Sequence, residues 1–150
     1  MSDQQPVFNI EKIYVKDLSL EVPNAPQVFM SQDAPQLEVQ LSQNVQSVDG
    51  ALFEVTLTVT VTAKAGDKTV FLVEAAQAGI FQIRNVPESE LDPILGMVCP
   101  NVLFPYARET ISDTVNRAGF PPVLLAPVNF EALYQQHTAE QSRPKIEIAH

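Results

Sequence analysis

The residue with the most chemical reach is Cys99, the single cysteine of the chain. It stands before Pro100 at an expected helix start, and a thiol at a helix N-terminus can ionise low enough to act as a nucleophile. A nucleophile of that kind needs a base beside it. The two histidines are His137, in the expected last helix, and His150, the final residue. A Cys99–His137 pair stays open, but nothing in the sequence frames it. Pro100 suits the first position of a helix, where its missing N–H costs nothing. Cys99 therefore reads as a small apolar residue at a helix junction rather than as a reactive centre. The five glycines are scattered singly, so no phosphate loop is present. No Cys/His cluster has metal spacing, and no cofactor is expected. Asp17 and Glu21 share one face of an extended segment, with Leu18, Leu20 and Val22 on the other, but no carboxylate pair sits in a catalytic frame.

The elements that must hold these residues fall into two halves. Phe53 to Ala63 alternates strictly, Val55, Leu57, Val59 and Val61 against Glu54 and four threonines, as a half-buried antiparallel strand does. After the turn Ala65 to Lys68, the segment from Thr69 to Ile83 continues as a strand that is apolar on both faces apart from Glu74 and Gln77. Leu37, Val39 and Leu41 mark a strand before it, joined by the Asp49-Gly50 turn. Val7 to Val22 is the first strand, and its apolar phase slips near Glu11 and Lys12, which predicts a bulge. Pro23, Pro26 and Pro35 exclude regular structure from the crossover that follows.

From Pro87 onward the pattern is helical. A short helix over 87–98 carries acids in its first turn. Phe104, Ala107, Ile111, Val115 and Ala118 form one apolar stripe. A kink or loose turn is expected between Asn101 and Pro105. Gly119 ends this helix, and Asn129 caps the last one. Four strands followed by helices predict an α+β fold: a four-stranded antiparallel sheet with a long kinked helix and a shorter C-terminal helix on one face. One helical layer covers one face, so Leu72, Ala76 and Ala78 on the other face call for self-association.

Composition narrows the function. The 150 residues suffice for one domain. The expected organisation is a flexible N-terminus over 1–7, a single domain over 8–137, and a flexible tail over 138–150. Residues 1–96 carry 13 acidic and 5 basic side chains, whereas 97–150 carry 5 and 4. An acid concentration in the first part of the chain argues against nucleic acid and anionic membrane, and suits a basic partner. No apolar run reaches a membrane span, and the N-terminal residues lack a signal-peptide pattern, so a cytoplasmic location without membrane insertion is expected. Phe8, Tyr14, Phe29 and Phe71 stand in unusual places; Phe29 lies in the proline-rich crossover, where something must cover it. They are candidates for a groove that takes extended apolar peptide.

Several blocks then become specific. Ile13 to Phe29 (IYVKDLSLEVPNAPQVF), Gly79 to Phe81 (GIF), Cys99 to Glu109 (CPNVLFPYARE), GFPP and Leu125 to Tyr134 (LAPVNFEALY) resemble, in the same order, the bacterial protein-export chaperone family SecB. The blocks span roughly residues 8 to 137. The resemblance implies a homotetramer, a dimer of dimers, packed through strands and long helices. It implies a non-enzymatic holdase that uses no ATP, keeps unfolded secretory preproteins translocation-competent and passes them to the SecA translocase. It implies client binding in a groove near the crossover, with Phe8, Tyr14, Phe29 and Phe71 as candidates. It also implies that Asp17, Glu21, Leu72 and Glu74, in KDLSLE and FLVE, face a basic zinc-bearing SecA tail whose zinc belongs to SecA. The alternative within the fold is a chaperone dedicated to an antitoxin. An unrelated small-molecule enzyme would need a polar pocket with a perturbed titrating group, and the sequence offers none.

Overall fold

The computed structural model describes residues 5–142, the side chains of 140–142 excepted. Four strands form one antiparallel sheet: β1 (Val7–Glu21), β2 (Gln36–Asp49), β3 (Leu52–Ala65) and β4 (Lys68–Arg84), in the order β1-β4-β3-β2. The two strands with the strongest apolar patterns, β3 and β4, are central, and each pairs on both sides. Three helices follow: α1 (Glu88–Pro93), α2 (Cys99–Arg117) and α3 (Phe130–Ser142), with a five-residue π turn, Ile94–Val98, joining α1 to α2. The α+β architecture expected from the sequence is thus present.

The core lies between α2 and the central strands. Val55, Leu57, Val59 and Val61 of β3 and Val73, Ala75 and Phe81 of β4 are fully buried against Leu103, Ala107, Ile111 and Val115 of α2. Each Val or Leu so buried is worth about 1.5–3 kcal/mol. An α-helix with its side chains is about 10–12 Å wide, and strands lie about 4.8 Å apart, so one helix covers two strands. The inner faces of the edge strands are left uncovered: Val15, Leu18 and Leu20 on β1, and Leu37, Val39 and Val45 on β2, are all exposed.

The bulge expected at Glu11 is found as a register shift between Ile10 and Lys12, and a second shift falls between Val15 and Asp17. The carbonyl of Tyr14 beside that second shift accepts from Gln77 Nε2 at 3.2 Å. Gln77 points into the core and is almost fully buried. The Thr110 hydroxyl of α2, 3.1 Å from Gln77 Oε1 and 3.0 Å from the Tyr106 carbonyl, shares its proton between them.

The helical layer is irregular, but not where the prolines predict. Residues 99–117 run as one α-helix through Pro105, and the irregularity is the π turn that precedes it. Gly119, at φ +98°, ends α2. There the Phe120 N–H donates to Val115 O at 3.2 Å and the Gly119 N–H to Asn116 O at 3.1 Å, the double bond pattern of a glycine-terminated helix. Asn129 caps α3, its Oδ1 accepting from the Ala132 N–H at 3.0 Å. The helix then runs to Ser142, five residues past the expected domain end at 137; residues 143–150 of the expected tail and 1–4 of the expected flexible N-terminus lie outside the described residues.

Candidate peptide groove and acidic face

The crossover between β1 and β2 is short of ladder donors because of its prolines, and it is held by other bonds. Asn24 Nδ2 donates to Thr69 O at 2.8 Å, and the Val28 N–H to Asn24 O at 2.8 Å. A single 3₁₀ turn, Gln27–Met30, then presents Phe29. Its ring stacks on Phe120 (centroids 5.1 Å apart, 25° between planes), and Phe120 tilts onto Phe71 at the same separation. The backbone reversal at Gly119 therefore does more than stop the helix, because it also aims Phe120 between the crossover and the sheet.

The three rings form part of the wall of an open cavity of about 480 Å³ that also touches Val28, Leu37 and Leu124. Phe29, Leu37 and Leu124 stay 47%, 49% and 84% exposed, so the apolar surface faces solvent. A second open cavity, of about 490 Å³, continues along β2, between Leu41 and Val45 on the strand and Leu95, Leu133, Tyr134 and His137 on the helical side. The two share the inner face of β2. From Leu37 to Val45 that face is roughly 27 Å long at about 3.3–3.4 Å per residue. β2 is also an edge strand, so one side of its backbone has no partner strand among the described residues. Apolar pockets at alternate positions beside a free strand edge suit an extended chain of varied sequence.

Of the four aromatic residues singled out in the sequence, Phe29 and Phe71 meet in this groove. Phe8 and Tyr14 do not join them. Phe8 sits at one end of β1, opposite Ile83, with its ring 5.7 Å from Phe81. Tyr14 points to the opposite face of the sheet because it pairs with Ala78, and its hydroxyl donates to Glu54 Oε2. Phe120 was missed. Its signal was available: an aromatic side chain between Gly119 and Pro121, outside any helix or strand pattern, asks for cover as Phe29 does.

The outer face of the sheet is different in kind. Asp17 pairs with Ala76, Glu21 with Leu72, and Ser19 with Glu74, which puts Asp17, Glu21, Leu72 and Glu74 together on neighbouring strands and one face. Glu74 Oε1 accepts from the Thr60 hydroxyl at 2.7 Å. Lys16 is occupied elsewhere, by Glu54 Oε1 at 2.7 Å. The hydrogen bond from Lys16 first, then that from Tyr14, hold the Glu54 carboxyl below its usual range, and burial with the Glu54 contact pushes the Tyr14 phenol up to about 12.

Cys99 is fully buried, and burial pushes its thiol up to about 12, far from a nucleophile. Among the described residues no cluster of three His, Cys, Asp or Glu could hold a metal, and no helix is long and apolar enough to cross a membrane.

An open apolar groove and an acidic sheet face thus lie on opposite faces of an α+β scaffold. Comparison with known proteins gives the family. The family model for preprotein translocase subunit SecB matches residues 1–141. The chain is 68% identical to the protein-export protein SecB of Chromobacterium violaceum over 95% of this chain and 97% of that one. It is 62% identical to that of Methylobacillus flagellatus, over 99% and 94% respectively. A solved SecB-like chaperone of Mycobacterium tuberculosis, in complex with a ChAD peptide from an antitoxin, shares the fold with a TM-score of 0.68 at 19% identity, covering 81% of this chain and 90% of its own. The chain belongs to the SecB family of protein-export chaperones.

Proposed function

We propose that this chain is an ATP-independent holdase that binds unfolded secretory preproteins in the cytoplasm and delivers them to the SecA translocase. The observation that carries the reading is the open groove along β2, where Phe29, Phe71 and Phe120 stand beside a strand edge that has no partner strand among the described residues. Such a surface binds the unfolded state and not the folded one, so it retards folding by mass action and needs no catalysis. Its tolerance comes from backbone contacts and adaptable apolar walls.

The acidic outer face is the SecA site, with Asp17, Glu21 and Glu74 receiving a basic, zinc-bearing tail and Leu72 packing at the centre. The uncovered inner face of β1, with Val98 and Tyr106 exposed on the helical side, supports assembly into a tetramer as a dimer of dimers. Antitoxin binding is the second reading, and the peptide held by the M. tuberculosis neighbour favours it. The intact KDLSLE and FLVE patches favour export.

The holdase reading is tested by refolding a denatured, slow-folding preprotein with a stoichiometric amount of this protein and no nucleotide. Refolding should stall, and the preprotein should co-elute with a tetramer. Refolding at the preprotein's own rate without a complex would overturn the reading. For the acidic face, Glu74→Lys should reduce SecA affinity at least about tenfold by placing like charge against a basic tail, with assembly mass and preprotein binding unchanged. Unaltered SecA affinity would sink that assignment.

A further inference from the structure

Helix α3 is seated on the rest of the molecule by few side chains. Between Phe130 and Ala139, Phe130 is buried, Tyr134 is half-buried, and the others are exposed. Phe130 meets Phe104 edge to face, with centroids 5.8 Å apart. The main packing partner of α3 is the π turn Ile94–Val98 rather than the sheet.

Tyr134 makes the second attachment. Its hydroxyl donates to Asp92 Oδ2 at 2.6 Å. Its ring lies so close over the π turn that a Cβ on Gly96 would come within 2.8 Å of Cδ1. A side chain at position 96 would thus displace the ring. π turns are rare and collect at functional sites; this one, with Asp92 just before it, forms a seat shaped for one tyrosine. On the flank of α3 that faces the groove, Leu133 and His137 look across the cavity of about 490 Å³ to Leu41 and Val45 of β2. The wall of the groove is therefore a helix fixed at its root by Phe130 and one turn later by Tyr134.

We infer that Tyr134 is a positioning residue for peptide binding: its clasp on Asp92 and Gly96 sets the distance from α3 to β2, and with it the size of apolar side chain the groove accepts. The inference rests on the client reading given above. A clasped wall is already ordered when the peptide arrives, so less freedom is lost on binding. A released wall yields to larger side chains but must be ordered at each encounter. Affinity for chains that fit therefore falls, and the discrimination between sizes narrows.

The experiment uses the full-length protein and two short labelled peptides, one alternating leucine with serine and one alternating tryptophan with serine, followed by fluorescence anisotropy. Tyr134→Phe keeps the ring on Gly96 and removes only the hydroxyl. It should weaken the leucine peptide about fivefold and narrow the leucine-to-tryptophan affinity ratio about threefold, while amide exchange accelerates in α3 and stays unchanged in α2. Asp92→Ala should reproduce both effects, Asp92→Asn, which retains an acceptor, should restore near wild-type values, and the double variant Tyr134→Phe/Asp92→Ala should be no weaker than either single one. If wild type binds the peptides and Tyr134→Phe matches it in affinity and ratio, the positioning role is wrong and the client reading stands. If Asp92→Asn loses as much as Asp92→Ala, surface charge and not the clasp is responsible, and the inference is overturned. If wild type binds neither peptide, the client reading fails and takes the inference with it.

Discussion

The two flanks of α2 start from the same deficit and end differently. On each side the helix leaves apolar side chains of an edge strand exposed, among them Val15, Leu18 and Leu20 on β1, and Leu37, Val39 and Val45 on β2. The β1 flank is bordered by the polar side of α2, with Glu109, Asp113 and Arg117 beside the strand. The β2 flank is bordered by three rings in contact, Phe29 stacked and Phe71 tilted on Phe120, and by a helix across an open cavity from the strand. A fixed polar border selects a partner of fixed shape, as a second copy of the chain is. A wall of rings and a helix across a cavity accept many shapes. Under the proposed function the same exposed hydrophobicity would serve two purposes, assembly on the β1 flank and client binding on the β2 flank, according to what lies next to it.

That division can be broken from the β1 side first. Leu18→Asp puts a charge on the flank proposed to be buried between copies, and it should raise the dissociation constant of the assembly at least about 100-fold, roughly 2.8 kcal/mol. Light scattering after size exclusion would show a smaller particle that retains its circular dichroism. An unchanged mass would mean that β1 is not the assembly flank. Phe120→Ala tests the other side. Removing the middle ring should weaken peptide binding about tenfold and lower stability by about 1–2 kcal/mol, with the assembly intact. Loss of assembly and preserved peptide binding would reverse the assignment of the two flanks.

The smallest effect sharpens the contrast between inner and outer faces. The folded-state pKa of Glu54 lies below its unfolded value of 4.5, because Lys16 and then Tyr14 bond its charged form. Its contribution is therefore present above that value and is lost as pH falls through the folded pKa. Between neutrality and that acid range, urea midpoints of wild type should drop more than those of Glu54→Gln. Parallel curves would mean that the Lys16–Glu54–Tyr14 cluster adds nothing to folding.

Much of this architecture was legible in the sequence, where one interaction dominates. The alternation of β3, the phase slip at Glu11, the stop at Gly119 and the cap at Asn129 each express a local rule. The second bulge was also written there, since the apolar parity changes between Val15 and Leu18, but the polar pair Lys16 and Asp17 hides it in a surface strand. Pro105 suggested a break that packing overrides: Leu103, Phe104 and Ala107 are buried around it, and the irregularity moves to Gly96, where a tyrosine from α3 needs room. Parity alone puts Asp17 with Glu21 and Leu72 with Glu74, but that the two pairs share one face came from the resemblance and needs the β1–β4 pairing to be seen. The groove could not be assembled from parity. Phe8, Tyr14, Phe29 and Phe71 look alike in sequence, and only the folded chain sends Phe29 and Phe71 to one place, Phe8 to another and Tyr14 through to the far side.

The buried amide of Gln77 has a consequence for motion. A helix lying on a row of valines could slide along it at small cost, since one apolar contact replaces another. Gln77 acts as a detent. Sliding α2 by a turn, about 5.4 Å, would carry Thr110 away and strand a polar group in the core at a cost of about 1–3 kcal/mol. The long helix is thereby locked in its track.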